Sequence, residues 1–242
     1  MMVYGINPVL EALKAGRATR VRVAGRADAR VQQVLSEAGR RSVPVIHVEP
    51  GELDRASRGE PHQGVVADVA APRAWSLAEL VAQATGPALL VVLDSVEDPH
   101  NVGAIARSVD ASGAHGLVRQ TRRAAALDGA AARASAGAVS HIPVADVVNV
   151  ARAIEELKQL NVWTIGLAGD ATATYDSVDW TLPSAIVVGA EGTGLRRLVR
   201  ESCDLLVSIP MAGFVDSLNV SVATGVVLFE AARQRRLKPP SI

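Results

Sequence analysis

The chain has 242 residues, 49% of them apolar, enough to bury one large core, or two of which one is small. Its 25 basic and 25 acidic residues cancel, so bulk charge gives no reason to expect a nucleic-acid partner and only the local distribution can. The single cysteine, Cys203, excludes an intrachain disulfide and a multi-cysteine metal site, and fits a reducing cytoplasm.

The opening MMVYGINPVLEAL lacks a basic region ahead of an apolar run, so no signal peptide is expected. Asn7-Pro8 starts a helix through Lys14, with proline in the first turn. Arg20–Ala24 alternates like a strand, Arg30–Ala38 is helical with Gly39 ending it, and Val43–Val48 and Val65–Val69 are β-branched strands. Residues 1–70 thus form a small α/β domain. Residues 71–87 carry Pro72, Gly86 and Pro87 at the edges of a short amphipathic piece and read as a linker.

From Ala88 onward, apolar strands alternate with helices. Ala88–Leu93, far too short to span a membrane, is followed by strands at 115–118, 162–168, 184–189 and 205–210. Helical patterns occupy 101–112, 149–160, 194–202 and 217–236. The strands are apolar on both faces, so residues 88–242 are expected to form a parallel sheet covered by helices. A soluble, cytoplasmic α/β protein follows. Basic residues cluster at Lys14, Arg17, Arg20, Arg22, Arg26, Arg30, Arg40 and Arg41, and again at Arg119, Arg122, Arg123 and Arg133. Such patches can neutralise phosphates; a solvated arginine-rich face is the other reading.

Three segments carry candidate chemistry. In Leu93–Arg107, Asn101 sits where a helix cap belongs. Gly103 and Arg107 share a helix face, the glycine clearing space beside an arginine able to grip a phosphate or ribose edge. A plain cap and a surface arginine would look the same. In Ile186–Leu195 a buried strand runs into a glycine-rich turn. Its G-x-x-G-x-G spacing is not that of a dinucleotide site, so nicotinamide and flavin cofactors are discounted. Glu191 in that turn would repel phosphate and suits a cationic or hydrogen-bond-donating ligand. In Ile209–Gly225 a small-residue loop leads to a helix with Ser217 or Asn219 near its start, either as a cap or as part of a site.

Together, Asn101-x-Gly103-x-x-x-Arg107, Gly189-x-Glu191-Gly192 and Ser217-x-Asn219-x-Ser221 resemble the three motifs of the SpoU family of RNA 2′-O-ribose methyltransferases, in order and separation. Tyr4-Gly5-x-Asn7-Pro8-Val9 and His62-Gln63-Gly64 resemble the small substrate-binding domain of its ribosomal branch. The resemblance implies a SPOUT-type catalytic domain with a deep trefoil knot, an L30e-like N-terminal domain that reads RNA through the Lys14–Arg41 patch, and a homodimer whose site draws on both subunits. It implies S-adenosylmethionine as cofactor, held at Gly189, Gly192, Ile209, Met211, Leu218 and Asn219. The implied reaction is methyl transfer to the ribose 2′-OH of a guanosine in 23S rRNA. Methylation of tRNA or another rRNA site, or an inactive RNA-binding ribosome-assembly factor, are the alternatives. Arg107 matches the family's catalytic arginine. A guanidinium is almost never deprotonated in proteins, so clamping phosphate and stabilising alkoxide charge is the role expected of it. Asn101, Glu191, Ser217 and Asn219 would shape the site. No metal is implied; His62 and His100 are expected to be structural or to touch RNA. The turn Arg119-Gln120-Thr121-Arg122-Arg123 lacks the proline usual in rRNA-modifying members, which bears on the RNA target.

Overall fold

A computed structural model describes residues 2–25, 28–70, 73–121, 127 and 129–237. Arg26, Arg122 and Arg123 of the two basic clusters lie outside the described residues. In chain order the elements are β1 (Met2–Tyr4), α1 (Ile6–Lys14), β2 (Ala18–Val23), α2 (Ala29–Arg40), β3 (Val45–His47), α3 (Pro50–Ser57) and β4 (Val65–Val69). Next come α4 (Leu77–Ala82), β5 (Leu89–Asp94), α5 (Pro99–Ser112), β6 (Gly116–Gln120), α6 (Gly129–Ala134) and β7 (Val144–Val147). Then follow α7 (Val150–Gln159), β8 (Trp163–Leu167), β9 (Ala173–Thr174), β10 (Ser184–Gly189), α8 (Arg197–Ser202), β11 (Leu205–Ser208) and α9 (Val220–Leu237).

The chain divides into two compact units, Met1–Pro72 with Ala126–His141, and Arg73–Ala125 with Ile142–Ile242. The first holds a mixed sheet in the order β1-β4-β2-β3, with β4 antiparallel to both its neighbours. Val9, Leu13, Val21, Val34 and Val65 form its core. Here α2 runs through Gly39 to Arg40, and the left-handed residue that ends the segment is Ser42, φ 54°. Residues 129–141, expected in the catalytic domain, group with this unit. Arg133 pairs with Glu60 at 3.0 Å and lies 5.3 Å from the centre of the Tyr4 ring. His141 Nε2 meets Glu11 Oε2 at 2.9 Å. Desolvation would raise the Glu11 pKa, but Lys14 and His141 hold it below the usual carboxylate value.

The second unit holds a sheet in the order β7-β6-β5-β10-β8-β11-β9, and every described pairing in it is parallel. Every residue of β5 and β10 is buried, as strands covered on both faces require. The short strands β7 and β9 had no periodic signal of their own. The expected linker contains α4, started by a capping box between Ser76 and Glu79, with Leu77 and Leu80 buried in this unit's core. The Ser76 amide, and after it Arg73, hold the Glu79 carboxyl down at about 2. Among the described residues no helix is long and apolar enough to cross a membrane.

Helix α9 buries Val220, Thr224, Val227, Leu228 and Ala231, one helical stripe. Its last turn is fastened by Arg235, whose guanidinium donates to the carbonyls of Pro87, Ala88, Trp180 and Leu182. Trp180 is fully buried, and its indole N–H donates to the Tyr175 carbonyl at 2.7 Å. Trp180→Ala leaves both a cavity and an unpaired carbonyl, and is expected to cost about 3–5 kcal/mol. Chemical denaturation followed by circular dichroism measures this; a loss under 1 kcal/mol would mean that the loop repacks.

Candidate active site

The carboxyl ends of β8, β10 and β11 open into a cavity of about 520 Å³. This is where parallel α/β sheets hold ligands, and the size is ordinary for a small-molecule site. One wall is the glycine loop. β10 ends at Gly189, in register with Asp94 of β5. A Cβ on Gly189 would lie 2.1 Å from the Gly194 carbonyl carbon, so only glycine fits. Gly192 and Gly194 have φ of 77° and 67°, and the Gly194 amide closes the loop on the Ala190 carbonyl at 2.9 Å. The third segment lines the same cavity: Ile209, Met211, Ser217, Leu218 and Asn219 are all in its lining, together with Gly189, Glu191 and Gly192.

Asn219 joins the three sequence segments. Its Oδ1 accepts from the Ser221 amide at 2.9 Å and from the Ser221 hydroxyl, capping α9. Its Nδ2 donates to Asn101 Oδ1 at 2.9 Å and to Glu191 Oε1. Cap and site are therefore one residue, and the helix starts at Val220 instead of 217. Asn101, in contrast, caps nothing. The cap of α5 is Asp98, which accepts from the His100 amide, and Pro99 opens the helix. This puts Asn101 in the first turn, 6% exposed, its amide turned to Asn219.

Arg107 is placed differently. It lies six residues beyond Asn101 on α5, exposed, with no hydrogen-bond or ion-pair partner among the described residues, and it does not line the cavity. The neighbouring Ser108 sits beside Gly225 of α9. Within one chain the cavity, Asn101, Glu191 and Asn219 form one cluster, while the arginine stands outside it.

Sequence reasoning missed Asp94, fully buried at the end of β5, which accepts from the Arg196 amide at 2.8 Å and from its Nε at 2.6 Å. An acid closing an apolar strand was the available signal. It also missed Asp170 and Arg200, a forked pair on the cavity wall at 2.9 and 3.0 Å, in which the arginine holds the Asp170 carboxyl below its usual value. Burial pushes the Cys203 thiol up to about 12, which leaves it inert as a nucleophile. His62 is set between Asp54 and the Gly64 amide, whereas His100 is exposed. Among the described residues no three His, Cys, Asp or Glu side chains are grouped to hold a metal ion. Much of the basic patch is already paired: Lys14 with Glu11, Arg22 with Asp68, and Arg40 and Arg41 with Glu37. Arg20 and Arg30 are exposed. In the second cluster Arg119 pairs with Asp146 and Arg133 with Glu60.

A parallel sheet with a glycine-walled cavity at its carboxyl ends and an Asn–Asn–Glu cluster beside it is the arrangement of an α/β protein with a small-molecule site. Residues 88–229 match the SpoU rRNA methylase family, and residues 2–75 match RNA 2′-O ribose methyltransferase substrate binding. The chain belongs to the SpoU rRNA methylase family. It is 46% identical to the 23S rRNA (guanosine-2′-O-)-methyltransferase RlmB of Pseudomonas syringae pv. tomato, over 98% of this chain and 96% of that one. Among solved structures it is similar to the SpoU methyltransferase AviRb from Streptomyces viridochromogenes in complex with AdoMet. The TM-score there is 0.83 at 28% identity, covering 98% of this chain and 91% of that one. The AdoMet-bound rRNA methyltransferase from Sinorhizobium meliloti is similar with a TM-score of 0.75 at 27% identity, covering 99% and 88%.

Proposed function

We propose that this chain is a cytoplasmic, homodimeric enzyme that transfers a methyl group from S-adenosylmethionine to the ribose 2′-OH of a guanosine in 23S rRNA. The observation that carries this reading is the convergence of Asn101 and Glu191 on Asn219, with Glu191 and Asn219 lining a glycine-walled cavity. The 46% identity to the Pseudomonas syringae enzyme supports the choice of RNA. RNA recognition is assigned to the first unit, with the exposed Arg20 and Arg30 meeting phosphates, and methyl transfer to the second.

The cavity fits the cofactor. Gly189 lets the Gly194–Leu195 backbone fold tightly back on the end of β10, where any side chain would collide, and so shapes the cavity wall, while Glu191 offers a carboxylate to a cation. Gly189, Gly192, Ile209, Met211 and Leu218 would hold S-adenosylmethionine, which when bound supplies an electrophilic methyl on a sulfonium. The protein's share is then positioning and handling of the proton. Asn219, fixed on one side by its cap and on the other by Asn101, orients the ribose together with Ser217. Arg107 grips the adjoining phosphate and stabilises negative charge developing on the 2′-oxygen.

Arg107, exposed and without a side-chain partner among the described residues, supports a site completed by a second subunit. On α9 the face opposite its core stripe carries Val222 and Phe229, 51% and 50% exposed, close in sequence to the exposed Phe214 and Val215. An apolar stripe of this kind marks an association surface. Phe229→Asp is expected to give a folded monomer by sedimentation velocity with methyl transfer reduced to background; a dimeric, active variant would refute this face.

The target is tested by mapping 2′-O-methylated nucleotides in rRNA and tRNA from cells with and without the protein. One guanosine of 23S rRNA is expected to lose its methyl group. Loss at a tRNA position instead would overturn the assigned substrate, and no loss anywhere would favour an assembly factor.

A further inference from the structure

Arg196 is the residue on which the glycine loop ends, and it reaches the ends of two strands of the second unit, Asp94 of β5 and Gln120 of β6. Its backbone amide donates to Asp94 Oδ2 at 2.8 Å, its Nε to Asp94 Oδ1 at 2.6 Å, and its terminal nitrogen to Gln120 Oε1 at 3.0 Å. Asp94 is fully buried, so its carboxylate depends on this arginine for compensation. The loop from Gly189 to Leu195 lines the cavity along its whole length. Two of its residues, Gly192 and Gly194, occupy the left-handed region, and its one internal backbone tie is Gly194 to Ala190. Such a loop has many conformations open to it unless its downstream end is fixed. Asp94 also stands one residue before Ser95, φ 62°, where the chain turns toward the Asn101 helix. Gln120 is the last residue of β6.

We infer that Arg196 is a positioning residue: through Asp94 and Gln120 it locks the glycine loop in its binding shape and ties that shape to the β6 turn. It acts on the cofactor wall without touching the reacting atoms. This rests on the proposed methyltransferase reading. With Arg196 in place the loop is preorganised, and the ordering entropy need not be supplied on binding. Without it, binding has to fix the loop as well.

The test is calorimetric titration of S-adenosylhomocysteine into the full chain, alongside thermal melting and steady-state methyl transfer. Arg196→Ala is expected to weaken binding about tenfold or more, the size of one lost charge-assisted contact. Arg196→Lys, which keeps the charge but not the fork, should recover part of the loss. Gln120→Ala leaves Asp94 paired and is expected to weaken binding about threefold. The cofactor KM should rise in each variant while kcat at saturating cofactor stays near that of the wild type. A purely structural role would lower the melting temperature and leave the low-temperature Kd unchanged. A folded Arg196→Ala that binds like the wild type overturns the inference. If that variant does not fold, unchanged Kd values in both Arg196→Lys and Gln120→Ala overturn it equally. A wild-type chain that fails to bind S-adenosylhomocysteine overturns the methyltransferase reading itself, and this inference with it.

Discussion

Arg107→Ala is expected to reduce methyl transfer to rRNA by about 10²–10³-fold in kcat/KM, the range for loss of one preorganised donor aimed at developing negative charge. Several observations combine in this expectation. Arg107 is exposed and unpartnered among the described residues, so removing it leaves no buried carboxylate orphaned and should barely move stability. It does not line the cavity, so affinity for S-adenosylhomocysteine should stay within about twofold. A folded variant with normal cofactor binding and a collapsed transfer rate would isolate the chemical step. Arg107→Lys should restore only part of the rate, because an ammonium cannot grip phosphate with a planar fork. Initial rates of tritium transfer into an rRNA fragment make the measurement. A wild-type rate in Arg107→Ala would remove the arginine from the reaction and leave the Asn101–Asn219–Glu191 cluster to carry it alone.

Gly189→Ala should be at least as damaging, for a different reason. The added methyl would sit 2.1 Å from the Gly194 carbonyl carbon, 2.2 Å from its oxygen and 2.3 Å from the Leu195 nitrogen. All three are backbone atoms, so no flexible side chain can swing aside. The loop must move off β10, which costs about 3 kcal/mol or more by the measure of overpacked cores and destroys the cavity wall. Calorimetric melting should fall and S-adenosylhomocysteine binding should become undetectable. Gly213→Ala is the control, because a methyl there meets nothing within 4 Å. Equal behaviour of the two variants would mean that the glycine loop is not the binding wall.

Much of the second unit was legible because its strands are apolar on both faces. Residues 184–189 match β10 end to end, and Asn149 is the cap of α7. The two-residue β9 and the edge strand β7 carry too little pattern to be read. At Asn101 an Asn ahead of an apolar helix suggested a cap, but Asp98-Pro99 is the stronger start and won. The three motif segments were legible as candidates; the Asn219 side chain bridging them was not, because nothing in spacing says which loops meet across 118 residues. Asp94 and Arg196 escaped for the same reason, being 102 residues apart. The short amphipathic piece expected between residues 71 and 87 is α4, and its Ser76–Glu79 capping box was readable in the sequence beside the neighbouring prolines.

The return of residues 129–141 to the first unit has a consequence for how the protein is made. A ribosome releases residues 2–69, with β1 to β4 complete, long before Arg133 and His141 emerge. Until then the Tyr4 ring and the Glu11 and Glu60 carboxylates lack the groups that finish them. The first unit is therefore born early but finished late, after β5, α5 and β6 have already been synthesised. A fragment cut at the end of β4 would stay at that unfinished stage.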